Sequence, residues 1–207
     1  VIWDKEKREL FGARDIFGIK PFYYAKMNGT FMYASEIKSL LLHPDFVKEL
    51  NAEALKPYMT FQYPAIGETF FKGVYKLPEG HYFTYRDGKM DIHRYYDEDF
   101  REGKQKLGEL VNSIDQTVCD SVKAHQIADV EVGSFLSSGV DSSYVAAVAR
   151  PQHTYSIGFG KGTYNESQQA GELAELLKLN NTAESLTDEE AFAAFPRIQW
   201  HLDEPDS

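Results

Sequence analysis

Val132-Gly133-Ser134-Phe135-Leu136-Ser137-Ser138-Gly139-Val140-Asp141-Ser142-Ser143 decides the fold of the second half of this chain. A short apolar strand, Val130 to Leu136, runs into a serine–glycine loop, and a helix over Ser142 to Ala149 opens at once. Where a parallel strand ends and a helix begins, α/β folds bind anionic ligands. The N–H groups of the first helical turn, with the positive end of the helix dipole, favour phosphate there. Gly139 lets the backbone approach closely, and the hydroxyls of Ser137, Ser138, Ser142 and Ser143 are donors for phosphate oxygens. Asp141 repels phosphate unless Mg²⁺ lies between them, since hard cations prefer carboxylate and phosphate oxygens. A carboxylate inside an anion loop therefore points to a metal. The Gly-Lys-Ser/Thr ending of a Walker A loop is missing. A serine-rich cap between a buried strand and a buried helix is the plainer reading of the same residues. The strand before and the helix after favour phosphate.

Downstream, strands and helices alternate: Thr154 to Phe159 (strand), Asn165 to Leu179 (helix), Thr182 to Leu186 (strand) and Asp188 to Trp200 (helix). That alternation implies βαβ units and a parallel sheet covered by helices. Thr187 and Glu190 have the spacing of a capping box at the last helix. Upstream, Leu107 to Ile127 places Leu107, Leu110, Val111, Ile114, Val118 and Val122 on one helical side. Asp97 to Lys106, charged and glycine-containing, reads as a linker.

Residues 1–100 follow a different pattern. Ile2 to Asp4 and Glu9 to Ala13 flank a charged connection, Lys5 to Arg8, and Pro21 to Lys26 meets Thr30 to Ala34 through Met27-Asn28-Gly29. Asn-Gly between apolar runs is a strong hairpin signal. Ser35 is expected to cap a short helix, Glu36 to Leu42, and Asn51 a second, Ala52 to Met59. His81 to Tyr85 and Lys89 to Tyr96 pair around Arg86-Asp87-Gly88. The fold class is thus α+β with an antiparallel sheet over 1–100, followed by α/β with a parallel sheet over 101–207.

Among 207 residues, 22 are Lys or Arg and 32 are Asp or Glu, a formal charge of -10. Such a surface repels phosphate backbones at long range and argues against a nucleic-acid partner, while leaving room for a local phosphate site built of amides. The single cysteine, Cys119, forms no intrachain disulfide and suits a reducing compartment. It reads as a helix-surface or core thiol. No apolar run reaches the length of a membrane span. Val1-Ile2-Trp3-Asp4 reads as the middle of a strand, and the chain stops in a polar stretch after an apolar segment. The expectation is a fragment cut at both ends.

Ser137-Ser138-Gly139-Val140-Asp141-Ser142-Ser143 resembles the pyrophosphate-binding loop, Ser-Gly-Gly-x-Asp-Ser-Ser, of ATP-pyrophosphatase-type enzymes. Ser138 departs from it, putting a hydroxyl where the family has glycine. Gly12-Ala13-Arg14-Asp15-Ile16-Phe17-Gly18-Ile19-Lys20-Pro21-Phe22-Tyr23-Tyr24 and Ala34-Ser35-Glu36-Ile37-Lys38 are similar to the later half of class II glutamine amidotransferase domains. Leu77-Pro78-Glu79-Gly80-His81 and Arg94-Tyr95-Tyr96 resemble that domain's closing strands. In this order the two modules look like glutamine-hydrolysing asparagine synthetase, over nearly the whole chain.

The resemblance implies an Ntn-type glutaminase half, in part, then an adenine nucleotide alpha hydrolase-like half, in part. It implies a cytoplasmic ligase of asparagine biosynthesis whose substrates are aspartate, glutamine and ATP, with Mg²⁺, and it allows a homodimer of the full-length protein. Aspartate is adenylated with release of pyrophosphate, and ammonia from glutamine displaces AMP. Carried over, Ser137, Ser138, Gly139, Val140, Asp141 and Ser142 hold pyrophosphate, with Asp141 on Mg²⁺. Phe135 and Leu136 lie against adenosine. Ile157 and Gly158 match the next strand end, where a backbone group reads adenine; a plain core strand residue is the other reading of Ile157. The family's amino-terminal cysteine nucleophile has no counterpart, since the first residue is Val1, so no catalytic residue is assigned and neither half-reaction is expected of the fragment. Arg14 and Asp15 read as an ion pair or turn fixing the strand pair, with contact to the site as the other reading. Asp203 and Glu204, in His201-Leu202-Asp203-Glu204-Pro205, read as facing the site or as a solvated helix end. A β-lactam synthetase-like enzyme and a non-catalytic nucleotide-binding module are the alternatives.

Gly158-Phe159-Gly160-Lys161-Gly162 lacks the third glycine of a dinucleotide fingerprint, which falls on Thr163. The histidines have no zinc-ligand spacing.

Overall fold

The structure is a computed structural model that describes residues 1–63, 65–159 and 166–205. The expected helix start at Asn165 and most of the glycine run after Phe159 lie outside those residues. The chain forms two compact units, one of Val1–Phe100 with Pro196–Ser207, the other of Arg101–Phe195.

The first unit contains two antiparallel sheets. One has four strands, β1 (Ile2–Asp4), β2 (Glu9–Ala13), β6 (His81–Arg86) and β7 (Lys89–Arg94), in the order β1-β2-β6-β7. The other has β3 (Tyr23–Met27), β4 (Thr30–Ala34) and β5 (Val74–Lys76), in the order β4-β3-β5. Asn28 and Gly29, at φ 50° and 83°, form the two-residue turn between Met27 and Thr30 that the Asn-Gly pair predicts. Asp87 and Gly88 do the same between β6 and β7.

Aromatic rings join the two sheets. Phe31 stacks on Tyr85 at 4.3 Å between centroids, and Phe83, fully buried, meets Phe22 at 5.5 Å. Gly12 pairs with Phe83 across β2 and β6, and the phenyl ring occupies the space above it: a Cβ on Gly12 would lie 2.2 Å from the ring. A second cluster buries Tyr23, Ala25, Met32 and Val74 against Ile37 and Leu40 of α1 (Ile37–Leu40).

The cap of α1 differs from expectation. Glu36 occupies the N-cap position without a side-chain cap, and the carboxylate of Asp203 accepts from Ile37 N at 2.7 Å and Lys38 N at 3.3 Å. Asn51 caps as predicted, its Oδ1 accepting from Glu53 N ahead of a 3₁₀ turn, Ala52–Ala54, and α2 (Leu55–Phe61). Residues 95–106 have no regular structure.

The second unit opens with α3 (Leu107–His125). There follow β8 (Ser134–Phe135), α4 (Val140–Ala149), β9 (His153–Phe159), α5 (Glu166–Leu177) and β10 (Asn180–Leu186), and then α6 (Asp188–Leu202), whose residues from Pro196 belong to the first unit. The strands are parallel in the order β10-β9-β8. The strand expected over 130–136 shrinks to the two residues that pair with Thr154 and Tyr155. Leu136, Ala146, Ala170 and Ala174 pack as the core between α4, α5 and one face of the sheet. The opposite face is open: Phe135 is 81% exposed, Ile157 49% and Phe159 62%. The Thr187–Glu190 capping box forms as read, with Glu190 N donating to Thr187 Oγ1 at 3.2 Å and Thr187 N to Glu190 Oε2 at 2.9 Å. The sequence pattern assigns everything from 101 onward to the second module; in the structure residues 196–205 group with the first unit, where Asp203 and Glu204 find their partners.

Candidate functional site

Parallel strands end on one edge of their sheet, so Phe135, Phe159 and Leu186, the last residues of the three strands, share an edge, the position at which α/β sheets take ligands. The serine loop lies there. Helix α4 starts two residues earlier than the sequence suggested, with Gly139 as N-cap, so Asp141 and Ser142 stand in its first turn. The helical ladder begins with Ser143 N donating to Gly139 O at 3.1 Å. The amides of Val140, Asp141 and Ser142 come before it and have no intrahelical acceptor, which leaves a small positive concavity.

Hydroxyls shape that concavity. Ser137 Oγ and Ser142 Oγ are 2.7 Å apart, and Ser137 N donates to Ser142 Oγ at 3.2 Å. Gly139 N donates to Ser137 Oγ at 3.2 Å, and Ser143 Oγ donates to Gly139 O at 2.6 Å. Gly139 has φ -70°, open to any residue, but a Cβ would lie 3.2 Å from Ser137 Oγ and press on the hydroxyl cluster. Close approach, rather than backbone conformation, is what glycine provides here. Asp141 and Val140 are exposed, and Ser138 is half-buried.

The remaining expected residues divide between the two faces of the sheet. Side chains alternate along a strand. Phe135 and Ile157 project from the open face, whereas Leu136 is buried in the helix-side core and Gly158 is buried on that same side of β9. Leu136 and Phe135 therefore cannot both lay side chains on one ligand. The main chain of Leu136 is also engaged, its N donating to Tyr155 O at 2.8 Å and its O accepting from Ser156 Oγ at 2.8 Å. What the structure brings together is Ser137, Gly139, Asp141 and Ser142, with the exposed Phe135 and Ile157 on the open face of the sheet they adjoin.

Four supporting residues, Thr154, Ser156, Asn181 and Tyr144, escaped the sequence reading. The single Ser156 hydroxyl proton is shared between Leu136 O and Asn181 Oδ1, 3.1 Å from Ser156 Oγ, and Thr154 Oγ1 donates to the same Asn181 oxygen at 3.0 Å, cross-linking β8, β9 and β10 beneath the loop. The available signal was Thr154 and Ser156 at alternate positions of an otherwise apolar strand. Tyr144 donates a hydrogen bond to Asp115 of α3, which fixes α4 one turn beyond the loop. That bond, then partial burial, pushes the Tyr144 pKa up to about 12.

Asp203 and Glu204 find their partners within the first unit, Asp203 at Ile37 and Lys38 and Glu204 at Tyr23. Arg14 and Asp15 make a turn rather than an ion pair. The Arg14 guanidinium donates to the carbonyls of Lys20, Leu77 and Gly18 at 2.9, 2.7 and 2.7 Å, and Asp15 accepts from Ile19 N and Lys20 N. Among the described residues no helix is long and apolar enough to cross a membrane.

Comparison with known proteins supplies the context for this geometry. Residues 1–96 match the glutamine amidotransferase domain family, and residues 113–207 match the asparagine synthase family. The chain is 38% identical to asparagine synthetase (glutamine-hydrolyzing) 1 of Bacillus subtilis, over 99% of its own length and 33% of that protein. Asparagine synthetases (glutamine-hydrolyzing) 2 and 3 of the same organism are 34% and 32% identical, over 87% and 76% of this chain and 26% and 27% of theirs. The chain thus spans about a third or less of the length of these curated relatives.

Proposed function

We propose, from the premise that this chain belongs to the family of glutamine-hydrolysing asparagine synthetases, that it supplies parts of two catalytic modules. Residues 101–207 are the nucleotide-binding start of an ATP-pyrophosphatase-type synthetase domain, adenine nucleotide alpha hydrolase-like in fold. Residues 1–100 are the closing part of an Ntn-type class II glutaminase domain. The whole protein is a cytoplasmic carbon–nitrogen ligase. The side-chain carboxylate of aspartate attacks the α-phosphorus of ATP, the α–β phosphoanhydride bond breaks, and pyrophosphate leaves. Ammonia, released with glutamate by hydrolysis of glutamine, then displaces AMP and yields asparagine.

One observation supports the nucleotide reading above the rest. The serine loop joins a parallel strand to α4 at the sheet edge, with amides ahead of the helical ladder and hydroxyls gathered around Gly139. In this reading those amides and the Ser137 and Ser142 hydroxyls hold the pyrophosphate oxygens, and the side chains of Phe135 and Ile157 border the nucleoside. Leu136 and Gly158 shape the strand ends that do so.

The donor set fits a largely hydrated Mg²⁺ held by the Asp141 carboxylate and by phosphate. It does not fit a cage built wholly by protein, since the described residues contain no group of three or more His, Cys, Asp or Glu able to hold a metal. The chemistry the ion supplies there is neutralisation of charge on the departing pyrophosphate.

Isothermal titration of the chain with magnesium pyrophosphate tests the reading. Binding is expected, with about tenfold or greater weakening in Asp141→Ala, as for loss of a charge-assisted contact. Equal binding by both chains removes Asp141 from the metal, and no binding by the parent removes the loop reading.

A further inference from the structure

The two carboxylates that follow α6 are seated in the first unit by hydrogen bonds and ion pairs. Asp203 takes a left-handed conformation, φ 62°, while its N–H donates to Gln199 O, and the turn directs both acids back onto that unit. The Asp203 carboxylate, 7% exposed, accepts from Ile37 N, Lys38 N and Lys38 Nζ at 2.7, 3.3 and 3.1 Å. One residue on, Glu204 Oε2 accepts from Tyr23 Oη at 2.8 Å and pairs with Lys76 Nζ at 2.5 Å. Lys38 lies over the Trp200 ring at 5.9 Å, and Lys76 over the Tyr23 ring at 5.4 Å. Burial works to strip the Lys38 ammonium of its proton, yet hydrogen bonds to Asp203 and Glu36 outweigh it and raise its pKa. Burial, then the Glu204 carboxylate, raises that of Tyr23.

We propose that Asp203 and Glu204 form a two-pronged latch whose seating on Lys38, Tyr23 and Lys76 orders α1, so that the first unit completes its fold only with the segment after Pro196 in place. Helix α1 has four residues, far too few to persist by its own hydrogen bonds. Its N-cap residue, Glu36, offers no side-chain cap and pairs instead with Lys38 at 3.3 Å. Acceptors for the first two helical amides come from a carboxylate more than 160 residues away in sequence. Those amides adjoin Ile37 and Leu40, which are core residues, so leaving them unsatisfied is costly. The second prong anchors Tyr23, which belongs to the same core. A positive surface, two backbone donors and a phenol thus receive an acidic dipeptide at a helix end, and both prongs bear on one hydrophobic cluster.

Amide hydrogen exchange on the full chain tests the latch, because it reads Ile37 and Lys38 directly. In Asp203→Ala, exchange at these two amides is expected to rise about tenfold, the scale of a lost cap. The Arg14 amide, bonded to His81 O elsewhere in the unit, reports global opening and should hold its rate. Unchanged exchange at Ile37 and Lys38 overturns the proposal. If Asp203→Ala fails to fold, Asp203→Asn and Glu204→Gln are read instead. Each keeps an acceptor and loses the charge, and a smaller rise at Ile37 and Lys38 is expected in both. Parent-like rates in both overturn the latch equally. This inference is independent of the nucleotide reading, since neither its residues nor its readout involve the serine loop.

Discussion

The two units solve the problem of a sheet's apolar faces in different ways. In the first, two antiparallel sheets face each other through Phe22, Phe31, Phe83 and Tyr85, and a buried guanidinium ties three loop carbonyls together. In the second, a parallel sheet is covered on one side by helices packed through alanines, and Phe135, Ile157 and Phe159 stand uncovered on the other. Parallel sheets are usually covered on both faces. The contrast teaches where sequence constraint resides. The first unit concentrates it in large, interlocked side chains, and the second in small residues on one face and in a loop whose hydroxyl cluster crowds any Cβ at position 139.

Substitutions that empty the first core should break that contrast most severely. Phe83→Ala is expected to cost about 3–5 kcal/mol, read from denaturant unfolding, because it removes the ring both sheets share. Arg14→Met comes next, at roughly 3 kcal/mol, since it strands the Leu77 carbonyl among buried groups and frees those of Gly18 and Lys20. In the second unit the damaging change runs the other way. Ala174→Leu should cost about 1–3 kcal/mol by overfilling the helix–sheet contact. Phe159→Ser, on the open face, is expected to shift stability by no more than about 0.5 kcal/mol; a loss comparable to Phe83→Ala would mean that face is covered.

The smallest effect is a dependence on pH. Hydrogen bonds from the Lys20 and Ile19 amides hold the Asp15 carboxyl below its ordinary 3.8. A lowered carboxylate pKa adds stability above the unfolded value, and that stability is lost as pH falls through the folded one. The stability difference between the parent and Asp15→Asn should therefore be level at neutral pH and shrink on acidification below the ordinary value. A difference that grows on acidification would contradict the turn's geometry.

Local signals were legible because each acts within a few residues. Asn28-Gly29 and Asp87-Gly88 need only their own dihedrals, the Thr187–Glu190 box closes within one turn, and the amphipathic spacing of α3 spans a single element. The serine loop was legible because strand, loop and helix are contiguous. What escaped were matters of distance and facing. No local pattern announces that Asp203 caps α1, β5 is three residues long and defined by its partner, and the opposed facing of Phe135 and Leu136 follows from the pleat. Ser156 and Asn181 were missed for the same reason: their value is a bond between strands, with no motif to mark it.

The ring over Gly12 has a consequence for the lineage as well as for this molecule. A β-carbon at position 12 would overlap the phenyl ring at position 83, so a side chain at position 12 requires a smaller residue at position 83. Homologues in which position 12 gains any side chain should show a compensating smaller residue at position 83, and an aligned set that broke this covariation would mean the strand spacing itself had evolved.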